Sequence, residues 1–129
     1  MISDSFLQLA IDTAKSSPSR KKIGAVLIKK NKVITTATNL DRKTHPFQAR
    51  LAKQVGLDPK IYLHAEIASL IKCKEDADTI VVARIGGHSQ NELRNSKPCP
   101  ICQTALELSN VKRIIYSTDD GFVLKYPYD

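Results

Sequence analysis

Tryptophan is absent, methionine occurs once, and aromatic residues make up only 5% of the 129 residues. Cysteine is scarce as well. Three is an odd number, which argues against a disulfide framework and fits a reducing compartment. No apolar run approaches the roughly 20 residues of a membrane span. The N-terminus lacks the basic-then-apolar pattern of a secretory signal, so the expected location is the cytoplasm. There is no repeat, no low-complexity tract and no Gly/Ser linker, and residues 1–129 therefore read as a single domain. Acidic side chains are in deficit: 13 Asp+Glu face 20 Lys+Arg, a net charge of +7. Much of the basic charge lies between Lys15 and Lys53, which favours phosphate-bearing partners, with a merely solvated basic surface as the plain alternative.

What is present suffices for a packed core, with 42% hydrophobic and 26% charged residues. Ser3 to Lys15 places Phe6, Leu9, Ala10 and Ala14 at helical spacing behind the capping candidates Ser3, Asp4 and Ser5. Ile23 to Lys29 and Lys32 to Thr38 read as strands, joined so closely around Asn31-Lys32 that they must form a hairpin. Asn39 to Leu63 is looser, with a short helix expected over Gln48 to Val55. His64 to Cys73 reads as a helix, Thr79 to Ile85 as a strand buried on both faces, and Gly86 to Lys97 as a polar loop. Cys99 to Leu108 is the next helix and Val111 to Ser117 the next strand. Thr118-Asp119-Asp120-Gly121 leaves no room for a crossover, so the final strand, Phe122 to Tyr126, must run antiparallel to its predecessor. The expected fold class is α/β: a three-layer αβα sandwich around a five-stranded mixed sheet with an antiparallel last strand.

Two short motifs carry the chemistry. His64-Ala65-Glu66 opens one expected helix, and Pro98-Cys99-Pro100-Ile101-Cys102 opens another. Zinc takes nitrogen and sulfur ligands in tetrahedral geometry, and catalytic sites keep the fourth position for water. His64, Cys99 and Cys102 supply three ligands, and two thiolates three residues apart on one helical turn reach a single ion. Helix N-termini favour the thiolate form. Glu66 is then a neighbour of the ion, placed to move the water's proton. A closed structural zinc site would need a fourth ligand from His45, His88 or Cys73, none at conventional spacing. A Cys-x-x-Cys redox pair would leave His64 and Glu66 without a role. His45 and His88 are read as loop residues, and Cys73 as a small buried hydrophobe.

His-x-Glu followed by Pro-Cys-x-x-Cys resembles the signature of the cytidine and deoxycytidylate deaminase superfamily. Lys22 to Ile28 looks like that family's first strand, whose Gly-Ala pair, here Gly24-Ala25, backs the substrate pocket. Asn39 stands where the family places a sugar-binding Asn, and Cys102 to Tyr116 is similar to its helix and following strand. The resemblance implies a hydrolase that uses Zn2+ to replace the exocyclic amine of a nucleobase by oxygen, with Glu66 as proton shuttle and Ala65 at the base's edge. It also implies a homo-oligomer.

The expected substrate is a cytosine nucleoside or nucleotide, of the deoxycytidine or dCMP type, as the superfamily's simplest members use. Asp41 lies two residues after Asn39, as a ribose-binding Glu does in the nucleoside enzymes, although it is shorter. Arg42, Lys43 and His45 are candidates for a phosphate, with a solvated loop as the alternative. His64 is the ligand type of the deoxycytidylate enzymes, while the antiparallel last strand is that of the nucleoside enzymes. The rival is a deaminase acting on cytosine or adenine in single-stranded DNA or RNA, which the +7 charge favours. Base stacking needs exposed aromatics, and only Phe47, Tyr126 and Tyr128 are left for it once Tyr62, Tyr116 and Phe122 are assigned to the core. The tRNA adenosine deaminases usually carry a basic C-terminal helix that this sequence, ending at Asp129, does not show. The segment Thr44 to Tyr62 is expected to form the pocket rim and set specificity.

Overall fold

The structure is a computed structural model that describes residues 4–18, 21–44, 62–63, 65, 68–69, 77–86, 92–97, 102, 106, 109 and 111–125. Helix α1 (Asp4–Lys15) begins with an acidic residue and ends with a basic one, both favourable to its dipole. Its last turn tightens through Ser16 N–H to Thr13 O and Ser17 N–H to Ala14 O, just before Pro18. Strands β1 (Lys22–Lys29) and β2 (Lys32–Thr38) follow as an antiparallel pair. Lys30 and Asn31 make the turn between them, both at positive φ (49° and 66°), one residue earlier than the sequence suggests. Two central residues in this conformation match the right-handed twist of the strands.

A two-stranded ribbon comes next, β3 (Leu40–Thr44) against β4 (Tyr62–Leu63). The main sheet resumes with β5 (Thr79–Gly86), β6 (Glu92–Arg94), β7 (Arg113–Thr118) and β8 (Gly121–Lys125). Its order is β2-β1-β5-β7-β8, with β6 added on β5. Among the described strands only β5 and β7 pair in parallel, and β8 returns antiparallel to β7 as its short connection requires. The sheet therefore has six strands where periodicity gives five. The extra one, Glu92-Leu93-Arg94, lies inside the polar segment and is too short to carry an alternating pattern. Residues 65, 68 and 69 are helical, as are 102 and 106, at the places expected for the two motif-bearing helices. The expected helix at 48–55 lies outside the described residues.

Strand alternation sorts the core into two layers. On one face of the sheet Val26, Ile28, Val81, Ala83 and Ile115 pack with Ala10 of α1, backed by Phe6, Leu9 and Phe122. On the other, Ala25, Leu27, Ile80, Val82 and Ile114 pack with Ala65 and Leu106. Both faces of β1 and β5 are thus covered, which explains their near-continuous apolar runs. No described helix is long and apolar enough to cross a membrane.

Gly24 sets how close α1 lies to the sheet. A Cβ there would stand 2.7 Å from the Ala10 carbonyl oxygen, 2.9 Å from the Thr13 carbonyl carbon, and closer still to the Ala14 amide nitrogen. Backbone rather than a flexible side chain stands in the way, so helix or strand would have to shift. The Gly24-Ala25 pair is divided between the layers: Gly24 lies under α1, and only Ala25 joins the face of Ala65.

Asp78 holds the opposite end of the sheet together. Its carboxylate accepts from the Lys30 N–H at 2.9 Å and the Thr79 hydroxyl at 2.8 Å, while its carbonyl accepts from the Lys112 and Arg113 amides. The Arg113 guanidinium donates to Thr79 Oγ1 at 2.9 Å and stands 3.7 Å from the carboxylate. Partial burial works to raise the Asp78 pKa, but the hydrogen bonds from Lys30 and Thr79 and the charge of Arg113 outweigh it and hold the carboxyl below its ordinary 3.8. A folded-state pKa lower than the unfolded one contributes stability above the unfolded value and loses it as pH falls through the folded value.

Two outcomes are expected. Gly24→Ala should cost about 1–3 kcal/mol or more in urea unfolding, as overpacking against backbone does; an unchanged midpoint would show that α1 stands off the sheet. Asp78→Asn should be less stable than the native chain at neutral pH. The gap should narrow as pH drops below 3.8, and unfolding midpoints taken across that range would show it.

Candidate active site

In open α/β sheets, ligand sites form beyond the carboxyl ends of parallel strands, where neighbours diverge. Here β5 and β7 are that pair. Their ladder runs from Thr79–Arg113 to Val82–Tyr116 and stops there, while β5 continues to Gly86. From Arg84 onward the vacated edge of β5 is taken by β6. On its other edge β5 pairs with β1 throughout, Ile23 lying opposite Arg84. The chain leaving β6 passes through Ser96 and Lys97 directly to Pro98 and Cys99. Ser96 is buried at this divergence, its hydroxyl 3.0 Å from the Val82 carbonyl.

Asn39 reaches the same end of the sheet from β2. Its N–H donates to the Ile23 carbonyl, and its side-chain Oδ1 accepts from Ile23 N–H at 3.2 Å and from the Ser17 hydroxyl at 2.8 Å. Its Nδ2 donates to the Lys21 carbonyl at 2.7 Å. Only 7% of Asn39 is exposed, and Ser17 beside it is 2% exposed. Asn39 is therefore a brace that ties the α1–β1 connection to the end of β2. Sequence reasoning picked out Asn39 but not Ser17, which carries no motif and is marked only by its burial.

The β3–β4 ribbon links this brace to the first motif. Leu40, next to Asn39, pairs with Leu63, next to His64. Directly opposed residues on antiparallel strands lie about 4.5–5.5 Å apart at Cα. The ribbon thus brings the chain at Asn39 to the start of the His64-Ala65-Glu66 motif. Asp41 and Arg42 occupy the second and third positions of β3. Thr44 pairs with Tyr62, so the segment between them, expected at the pocket rim, leaves and returns at one point.

Ala65 is fully buried against the sheet face that carries Ala25 and Val82. Cys102 is fully buried too, four residues before Leu106 at helical positions, a spacing that puts both on one side of a helix. Leu106 packs in the same layer as Ala65. The first motif therefore sends Ala65 to the layer opposite α1, and the helical position four residues after Cys102 sends Leu106. His64, Glu66 and Cys99 lie outside the described residues, as do His45, Cys73 and His88. The donor set fits zinc by its chemistry: an imidazole and two thiols, one of them on the buried Cys102.

Losing the Asn39 amide would leave the Ile23 N–H and the Lys21 carbonyl to find new partners. Asn39→Ala is expected to lower stability by about 1–3 kcal/mol, the usual cost of leaving buried groups unsatisfied. Thermal or urea unfolding would measure it, and an unchanged midpoint would deny the bracing role.

The comparisons with known proteins agree with this geometry. The model of the cytidine and deoxycytidylate deaminase zinc-binding region matches residues 2–118. Cytidine deaminase from Burkholderia pseudomallei superposes with a TM-score of 0.67 at 16% identity, over 98% of this chain and 94% of that one. dCMP deaminase from the cyanophage S-TIM5 superposes in its apo form with a TM-score of 0.54 at 19% identity, over 88% of this chain and 79% of that one. Its complex with dCMP and dUMP gives 0.55 at 20% identity, over 88% and 78%. No curated protein sequence matches. A family match over this much of the sequence, on a sheet that brings both motif regions to one layer, places the chain in the cytidine and deoxycytidylate deaminase family, whose members are zinc-dependent hydrolytic deaminases.

Proposed function

We propose that the chain deaminates a cytosine nucleoside or nucleotide of the deoxycytidine or dCMP type, giving the uracil form and ammonia. The observation that carries this reading is the pair of motifs, His64-Ala65-Glu66 and Pro98-Cys99-x-x-Cys102, on a chain of this family. The antiparallel β8 and the likeness to a cytidine deaminase along nearly the whole of both chains support a nucleoside-type substrate. The likeness to a phage enzyme solved with dCMP and dUMP supports a nucleotide.

His64, Cys99 and Cys102 would hold the metal. Zinc, when bound, supplies a water acidic enough to ionise near neutral pH, down from about 15.7 in bulk. Glu66 takes the water's proton and passes it to the ring nitrogen next to the amine-bearing carbon. Oxygen adds to that carbon still bearing its second proton; Glu66 takes that proton and delivers it to the amine, the carbon–nitrogen bond breaks, and a carbonyl and ammonia result. The Ala65 main chain faces the edge of the base. Asn39 serves the sugar in addition to its bracing bonds, and Asp41 and Arg42 on β3 lie next to it in sequence for sugar and phosphate. Function as a homo-oligomer in the cytoplasm belongs to the same reading.

Polynucleotide deamination is the second reading, favoured by the net charge of +7. Exposed lysines stand at both ends of the sheet, Lys30, Lys32 and Lys112 by Asp78 and Lys15, Lys21 and Lys97 by Asn39 and Ser96, so their placement does not separate the two readings.

One panel tests both readings. The purified chain is incubated with cytidine, deoxycytidine, their monophosphates, cytosine, adenosine and single-stranded oligonucleotides, and ammonia is measured. Turnover of a small cytosine substrate is expected, with Glu66→Ala keeping zinc and losing about 10²-fold or more of the rate. Release from oligonucleotides alone would overturn the first reading in favour of the second.

A further inference from the structure

Where β5 and β7 part, two serines replace the ladder. The next rung after Val82 and Tyr116 would join Ala83 to Ser117. Ser117 instead turns its main chain to Ser96. Its N–H donates to the Ser96 hydroxyl oxygen at 2.8 Å, and its carbonyl accepts from the Ser96 N–H at 2.8 Å. The Ser96 hydroxyl donates to the Val82 carbonyl at 3.0 Å. The Ser117 hydroxyl accepts from the Arg84 N–H at 2.9 Å and gives its one proton to the Arg94 carbonyl at 2.7 Å or to Ser96 Oγ at 2.9 Å. Ser117 is fully buried and Ser96 is 7% exposed. Two hydroxyls thus join β5, the end of β6 and β7 at the point where the sheet opens.

The segment they hold is the one that leads to Cys99. Beyond Ser96 the chain is tied once more, Lys97 N–H donating to Asn95 Oδ1 at 2.9 Å. We propose that Ser96 and Ser117 are positioning residues for zinc binding: they set the direction in which the chain leaves the sheet, and so where the Cys99 thiolate stands. The proposal rests on the deaminase reading of His64, Cys99 and Cys102. Three residues of chain span at most about 10 Å. Over that length a tilt of about 10° at Ser96 carries a sulfur more than 1 Å, whereas a metal–ligand distance tolerates about 0.2 Å. Past the last rung of β6, Arg84–Arg94, one main-chain bond, Ser96 N–H to the Ser117 carbonyl, holds the segment, and a single bond leaves such a tilt open. The two hydroxyls close it.

Thr79 provides the comparison that separates positioning from mere stability. It lies at the other end of the same strand pair, is fully buried, and its hydroxyl is bonded to Asp78 and Arg113. The experiment measures zinc dissociation constants of the full chain by competition with a chromogenic chelator, at a temperature where circular dichroism shows every variant folded. Ser96→Ala and Ser117→Ala are expected to weaken zinc binding about 10–100-fold, the usual effect of residues that orient a ligand. Thr79→Val should lower the unfolding midpoint with zinc affinity unchanged, and Ser96→Thr, which keeps the hydroxyl, should bind as the native chain does. A native chain that holds zinc while both alanine variants match Thr79→Val overturns the proposal alone. A native chain that holds no zinc overturns both the proposal and the deaminase reading. Should Ser117→Ala not fold, Ser96→Ala and Ser96→Thr decide the question between them.

Discussion

Strand β5 must satisfy both of its edges, and the rest of the arrangement depends on that requirement. Buried on both faces, it has no water to accept its amides and carbonyls, so every one needs a partner from another strand. β1 serves one edge from Thr79 to Ile85. On the other edge β7 serves only as far as Val82, and β6 takes over at Arg84. The handover at Ala83 opens the sheet without leaving its backbone bare. The opening then lies at the carboxyl end of a parallel pair, where an α/β sheet offers a ligand its place.

Around that opening, elements distant in sequence meet through short chains of hydrogen bonds. Asn39 bonds to Ile23, Ile23 lies opposite Arg84, and the Arg84 amide donates to Ser117, which holds Ser96. The β3–β4 ribbon adds Leu63, and with it the first motif, to the chain next to Asn39. Each link is modest, since a net hydrogen bond contributes only about 1 kcal/mol. Their importance is in direction, because each restricts where the following segment can go.

The two ends of the sheet have separate tasks. At the Asp78 end, one carboxylate holds Lys30 at positive φ and ties the β1–β2 turn to the starts of β5 and β7. A lysine in that conformation is strained, and the bond to Asp78 helps keep it there. The other end is built of uncharged braces, Ser17, Asn39, Ser96 and Ser117, all buried.

The sequence by itself determined α1, strands β1, β2, β5 and β7, the antiparallel β8 and the chemical motifs, but not the β3–β4 ribbon. Hydrophobic period and turn length act locally, and His64, Glu66, Cys99 and Cys102 announce their chemistry by type and spacing. It did not reveal β6, because three residues in a polar segment acquire strand structure only from the vacant edge of β5. Nor did it reveal that Gly24 and Ala25 serve opposite layers, or that Ser17, Ser96 and Ser117 matter at all. A serine has no periodic signal, and its hydroxyl gains value only when packing removes water and brings up a partner. Those decisions belong to the tertiary structure, which alone determines which polar groups are buried and what stands beside them.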